Sequence, residues 1–392
     1  MTRRHSKTPP MTLITTTADL KALCDRLTGA EFVTVDTEFM REKTYWSKLC
    51  LIQLAGPNEA AAIDPLAPGI DLTPLYDFMN DGKTLKVIHG GRQDVEIFYH
   101  DTGKIPSPLF DTQIAAMVCG FGDQVSYGVL VHDLTGEQID KGSRFTDWST
   151  RPLSDRQIHY GLADVLHLRL VYEKLKKRID KFQRMEWVAQ EMAELCDPKT
   201  YENPPEDAWH RIKLHAHRPR MLGILREICA WREHEARRIN IPRGRFIKDE
   251  ALAEIAGHPP TTVEALSRIR SLNSGFAEGS KGQDLLNIIK HAMNLPEADC
   301  PKIEKKPHLP PGLAPIIDLL RVLLKMKCDE HFVAPKLLAS AHDLEMIAAF
   351  DNADVKALKG WRYELFGKDA LELKTGKLAL SIEKKQIKVI RV

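Results

Sequence analysis

The 392-residue sequence predicts an α/β domain, a mixed sheet flanked by helices, followed by two small all-α domains. Three observations predict it. Strand and helix signals alternate over residues 12–200. Two stretches rich in proline and small polar residues, 196–209 and 296–315, interrupt the chain. Between and after them the signals are almost all helical. The expected domains are therefore 12–200, 208–295 and 314–392, preceded by a flexible basic arm over 1–11.

Each element has its own warrant. "EFVTVDTEF" reads as a strand, "LCLIQLAG" (49–56) as a second and "AAAIDPL" (60–66) as a third. The last two are separated by "GPNE", the spacing of a hairpin. "TPLYDFMND" predicts a helix and "TLKVIHG" (84–90) a buried strand. "GRQDVEIFYHDTG" predicts a helix that stops at Gly103. "PLFDTQIAAMVCG" gives a short strand and another helix. "DRQIHYGLADVLHLRLVYEKLKKRI" is a long amphipathic helix with Ser154 as its N-cap. The last residues, "KLALSIEKKQIKVIRV", alternate about Lys384-Lys385 and suggest a terminal hairpin. The two helical segments are similar in length and character, as repeats of one module would be.

Composition excludes several classes. Hydrophobic content of 43% with 28% charged residues is that of a soluble globular protein. The N-terminal "MTRRHSKTPP" has no apolar core behind it, so no secretory signal is expected. No window offers about 18 uninterrupted apolar residues, so no membrane span is expected. The seven cysteines are scattered without a C-x-x-C pair. Reduced thiols in a cytoplasmic protein are the expectation, not a disulfide frame or a zinc site. A net charge of +2 does not by itself point to nucleic acid.

One strand breaks its own pattern. Asp36 and Glu38 sit two apart at the end of "FVTVDTEF", and strand side chains repeat with period two. Both carboxylates therefore project from one face, where like charges repel. D-x-E recurs at Asp94/Glu96 and Asp343/Glu345, but only the first pair ends an apolar strand. Asp94 follows a buried strand at the start of a helix. Asp164 lies on a helix otherwise lined with apolar residues, one turn beyond Tyr160. If Asp36, Glu38, Asp94 and Asp164 meet, four negative charges share one half-buried pocket. Cations must then enter, or the pKa values must rise. Two hard divalent ions supply four positive charges and prefer oxygen ligands. Such a pair is suited to phosphodiester cleavage.

The motifs resemble a known family. "VDTEF", "HGGRQDVEIF" and "HYGLADV" are similar to the three exonuclease motifs of the DEDD superfamily, and the tyrosine four residues before the last aspartate marks its DEDDy branch. "DTEFMREKTYWSKLCLIQLA", "LFDTQIAAMVCG" and "DWSTRPLSDRQIHYGLADV" resemble the bacterial ribonuclease D family over residues 12–200. Residues 208–295, with "ICAWREHEARRINIPRGRFIKDEAL", resemble the HRDC module, and the final segment is more loosely similar to a second one. The resemblance implies an RNase H-like fold and 3′→5′ removal of mononucleotides from RNA. It implies metal-ligand roles for Asp36, Glu38, Asp94 and Asp164, with two Mg²⁺ or Mn²⁺ ions. Tyr160 is expected to hold the attacking water as a neutral phenol, which a free pKa of about 10 allows. The implied substrates are tRNA precursors with 3′ trailing nucleotides, and no obligate protein partner is expected. Gly161-Leu162 stands where the family more often has alanines; Leu162 points away from the Tyr160/Asp164 face.

Other residues are candidates for RNA contact. Lys141 and Arg151, with Trp148 nearby, lie in the loop before the last long helix and offer a phosphate grip and a stacking ring. Phe39 and Met40 follow Glu38 and offer a wedge against a terminal base. Asp111-Thr112 reads as a helix cap; Gln53 and His89 read as groups near the cleft or in the core. Between Ala208 and Glu250 eleven basic residues face five acidic ones, Arg237, Arg238 and Arg243 among them. Such a surplus attracts phosphate backbones without reading sequence. Two rival readings stay open: a DNA 3′–5′ exonuclease of repair type and a non-catalytic RNA-binding scaffold. Against the first, no G-x-x-x-x-G-K-[ST] loop of a helicase occurs; against the second, all four acids and Tyr160 are present.

Overall fold

The computed structural model describes residues 11–140, 142, 146–214, 218–272, 274–302 and 309–392. The expected basic arm, up to residue 10, and Lys141 lie outside these residues.

A six-stranded mixed sheet organises the first unit, in the order β1-β4-β3-β2-β5-β6. Its strands are β1 (Met11–Ile14), β2 (Phe32–Met40), β3 (Lys48–Ala55), β4 (Ala60–Ile63), β5 (Leu85–Ile88) and β6 (Leu109–Asp111). β3 and β4 form the expected antiparallel hairpin, with Ile52 opposite Ile63 and the Gly56 N–H donating to Glu59 O. β1 joins β4 in parallel, and β2, β5 and β6 run parallel to one another. The helices of this part are α1 (Thr17–Leu27), α2 (Thr73–Met79), α3 (Arg92–Thr102), α4 (Thr112–Val118), α5 (Tyr127–Thr135), α6 (Asp155–Phe182) and α7 (Met185–Leu195). Ser154 caps α6 through a reciprocal capping box with Gln157. α3 ends at Gly103 in the left-handed conformation, as glycine permits.

Residues 307–392 belong to this same unit. The Ala334 N–H donates to Met117 O at 2.9 Å. The buried Arg184 guanidinium donates to Val118 O and to Phe332 O, at 2.8 and 3.1 Å. Trp187 and Trp361 stack with centroids 4.3 Å apart. At Gly120, φ is +80° and a Cβ would come within 2.8 Å of the Phe332 backbone, so only glycine lets the two segments approach this closely. The predicted terminal hairpin is present as β7 (Leu378–Glu383) and β8 (Gln386–Arg391), turning at Lys384 and Lys385.

The second unit comprises residues 39–49 and 201–306. Its core gathers on the 20-residue helix Pro219–Arg238. The segment 196–209, read as a linker from its composition, is in part folded. Pro205–Arg211 is a 3₁₀ turn whose Trp209 and Ala208 are buried in this core. Among the described residues no helix is long and apolar enough to cross a membrane.

Candidate active site

β2 positions the first two acids. Val33 and Val35 are buried on one face. On the other, the Thr34 hydroxyl donates to Val165 O of α6 at 2.8 Å. Period two then turns Asp36 and Glu38 to the α6 side as well. α6 brings Asp164 to meet them, and carboxylate oxygens of Asp36, Glu38 and Asp164 lie within 4.8 Å of one another. Tyr160, one turn earlier, donates a hydrogen bond to the Asp164 carboxylate.

Asp94 stands beside this trio. It occupies the first turn of α3, where an acid complements the helix dipole. Its carboxylate accepts a hydrogen bond from the Thr37 hydroxyl. It is not one of the three acids within 4.8 Å, yet its charge reaches Asp36.

The electrostatics follow from burial and crowding. The Asp36 carboxyl is pushed well above the usual range by desolvation, then by Asp94, Asp164 and Glu38. Asp94 is raised to about 6 by desolvation, against the pull of the Thr37 hydrogen bond. Asp164 is raised to about 7 by desolvation, with the Tyr160 hydrogen bond opposing. The charged neighbours that raise Asp36, namely Asp94, Asp164 and Glu38, are all acids. An all-oxygen, charge-deficient cluster of this kind suits hard divalent cations.

A brace holds the turn that carries Asp94. Asp111 caps α4 as its sequence suggests, accepting from Gln113 N at 2.7 Å. It also accepts from Gly90 N at 3.0 Å and Gly91 N at 2.9 Å, the residues that open α3. Asp111→Ala strips an acceptor from several buried N–H groups. It is expected to cost about 3 kcal/mol, read as a lower urea midpoint; an unchanged midpoint would remove the brace from this account.

Tyr127 was not legible in the sequence. Its hydroxyl donates to the Asp164 carbonyl oxygen, and its ring lies 5.1 Å from the His89 ring. The short helix α5 has no spacing signal that ties it to the acids. His89 is turned to Thr112, with Nδ1 3.0 Å from its hydroxyl. Gln53 is fully buried and leaves no room for a side chain at Gly161, where a Cβ would meet Nε2 at 2.5 Å. Leu162 is buried in the core.

Several proposed RNA contacts are occupied otherwise. Arg151 grips Asp64 with two hydrogen bonds of 2.7 Å and donates also to Cys50 O and Trp148 O. Its guanidinium is thus a lock between the loop and the sheet rather than a free phosphate grip. Trp148 is 2% exposed and packs 6.0 Å from the Tyr160 ring, so it offers no open face to a base. In the second unit, the Arg237 Nε donates to the Tyr45 hydroxyl at 3.1 Å. Arg243 pairs with the buried Glu233 at 3.1 Å. Both are internal ties. Arg238 pairs with Glu235 at 2.9 Å but stays 60% exposed. Phe39 and Met40 are half-buried at the end of β2 and group with the second unit.

A mixed sheet whose strand-borne acid pair meets an acid from a long helix defines an acidic-cluster nuclease. Residues 11–180 match the family model described as a 3′-5′ exonuclease, and residues 221–289 match the HRDC domain. The chain belongs to the ribonuclease D family and is a 3′–5′ exoribonuclease. It is 52% identical to ribonuclease D of Granulibacter bethesdensis, with 98% of each chain covered. It is 49% identical to that of Gluconacetobacter diazotrophicus, with 97% of each covered. The crystal structure of Escherichia coli RNase D, described as an exoribonuclease involved in structured RNA processing, superposes with a TM-score of 0.79. That pair is 28% identical, over 94% of this chain and 99% of the other.

Proposed function

We propose that this exoribonuclease removes nucleoside 5′-monophosphates one at a time from the 3′ ends of tRNA precursors in the cytoplasm. The observation that carries the reading is the meeting of Asp36, Glu38 and Asp164 within 4.8 Å, with Asp94 beside them. These four side chains are the ligand set for two divalent ions, Mg²⁺ or Mn²⁺. Bound there, the ions supply the missing positive charge, acidify water and stabilise the leaving oxygen. Asp36, on which the other three acids act, would hold the ions together with them. Tyr160 orients the attacking water through its hydroxyl, and the hydrogen bond to Asp164 fixes the ring's rotamer. Asp111 and Thr37 hold Asp94 at the end of β2. Residues 314–392 act as a second HRDC-like module.

The test is a 5′-labelled tRNA precursor incubated with Mn²⁺ or Mg²⁺. A ladder shortening by single nucleotides, with mononucleotide products, supports the reading. Preferential trimming of DNA, or binding without cleavage, contradicts it. Tyr160→Phe removes one hydroxyl and keeps the ring against Trp148. It is expected to lower kcat by about 10²-fold or more with KM within about twofold; equal kcat values in steady-state assays would dismiss the tyrosine from the chemistry.

A further inference from the structure

We propose that the groove between the helix Ala314–His331 and the β7–β8 hairpin docks the phosphodiester backbone of the RNA being trimmed, with Lys384 and Lys385 as its leading contacts. This rests on the exoribonuclease reading for the identity of the polymer.

The first observation is conformational. Glu383 pairs with Gln386, so Lys384 and Lys385 are the two central residues of a tight hairpin turn. Both have positive φ, 49° and 66°. Such turns are relaxed with Asn-Gly, because side chains bearing a Cβ resist the left-handed region. Two lysines here strain the backbone. Nothing in the fold repays them, since both are exposed and neither makes an ion pair among the described residues. What the position gains is two positive charges at a projecting tip.

The second observation is the charge of the groove. Residues 377–391 carry five basic residues and one acid. The groove encloses about 950 Å³ and continues from the tip along Lys388 to Lys325 of the facing helix. Five basic residues line it, Lys325, Lys327, Lys385, Lys388 and Arg391, against three acids. Asp369 pairs with Lys327 at 2.6 Å and Glu330 lies 3.9 Å from His331, which leaves the exposed Asp329 as the lining acid without an ion pair among the described residues. Lys325 has no ion pair among the described residues. Compact lysine charges on an exposed rim suit a backbone read without regard to sequence. The groove sits in the same compact unit as the acidic cluster, and Arg184, Gly120 and Trp187 tie that segment to α4 and α7.

The test replaces Lys384-Lys385 by Asn-Gly in the full chain. This pair suits the turn, so Tm is expected to hold or rise while two charges are lost. Equilibrium binding of a structured RNA is measured without divalent metal across a salt series, which keeps it independent of cleavage. The slope of log Kd against log salt is expected to shrink by roughly 1.5, and Kd at 0.1 M salt to weaken about tenfold. In Mn²⁺, kcat on a four-nucleotide RNA is expected to be unchanged. Lys384→Arg/Lys385→Arg is expected to retain wild-type binding. Unaltered Kd and slope in a folded Asn-Gly variant overturn the proposal, and the exposed Ile382 and Val392 would then point to a protein partner. Absence of mononucleotide release by the wild type sinks the exoribonuclease reading instead, whatever the binding data show.

Discussion

Asp36→Asn is expected to slow mononucleotide release by about 10³-fold or more, with RNA binding within about twofold of wild type. The substitution keeps the shape of the side chain and removes one charge. Asp36 carries this expectation because it is the acid on which Asp94, Asp164 and Glu38 all act. Its loss would weaken the hold of the whole cluster on its cations, whereas loss of an acid coupled to fewer of the others would cost less. The same change relieves like-charge repulsion in the metal-free protein, so its Tm is expected to rise. Activity and stability thus move in opposite directions, which a misfolded variant cannot imitate. Single-turnover assays paired with thermal melts in EDTA read both. Undiminished cleavage would leave the acidic cluster without its assigned role.

Metal-free protein is expected to lose stability as pH rises through the range of about 4 to 7, and divalent metal to restore it. The sign follows from the raised carboxyls. Asp94 titrates at about 6 and Asp164 at about 7 in the folded protein, against 3.8 as the ordinary value. The folded state keeps protons that the unfolded state has already released. That contribution is complete below pH 3.8 and disappears as pH climbs through 6 and 7. Because the acids titrate together, the effect belongs to the cluster, on the order of a few kcal/mol. Cations bind the deprotonated form, so Mn²⁺ is expected to raise Tm by about 5 °C or more at pH 8. At pH 5.5 the same addition is expected to do little. Calorimetric scans with and without Mn²⁺ at both pH values test this. A metal-induced shift of the same size at each pH would contradict the assigned carboxyls.

The site was legible where chemistry is written locally. Strand alternation placed Asp36 and Glu38 on one face, helical spacing joined Tyr160 to Asp164, and Ser154 marked the start of α6. What was illegible depends on partners far along the chain. Arg151 reads as a free cation until Asp64, 87 residues away, takes it. Tyr127 finds the Asp164 carbonyl only once α5 is folded against α6. Arg237 and Arg243 look like a nucleic-acid patch until Tyr45 and Glu233 engage them. β1 is a four-residue strand that pairs with β4, remote in sequence, and no turn signal announces it. The fold class does not depend on these distant pairings, because alternating elements and two polar interruptions are coarse features.

The attachment of residues 307–392 bears on how this enzyme can be dissected. A chain cut near residue 200 would strand the Arg184 guanidinium without the Phe332 carbonyl, uncover Trp187 and free the Met117 carbonyl from Ala334. Such a fragment would keep every acid yet present a raw apolar scar bearing an orphaned cation. It is a candidate for aggregation rather than a minimal nuclease. Anyone wishing to graft this catalytic half elsewhere must carry the tail along, or resurface the scar first.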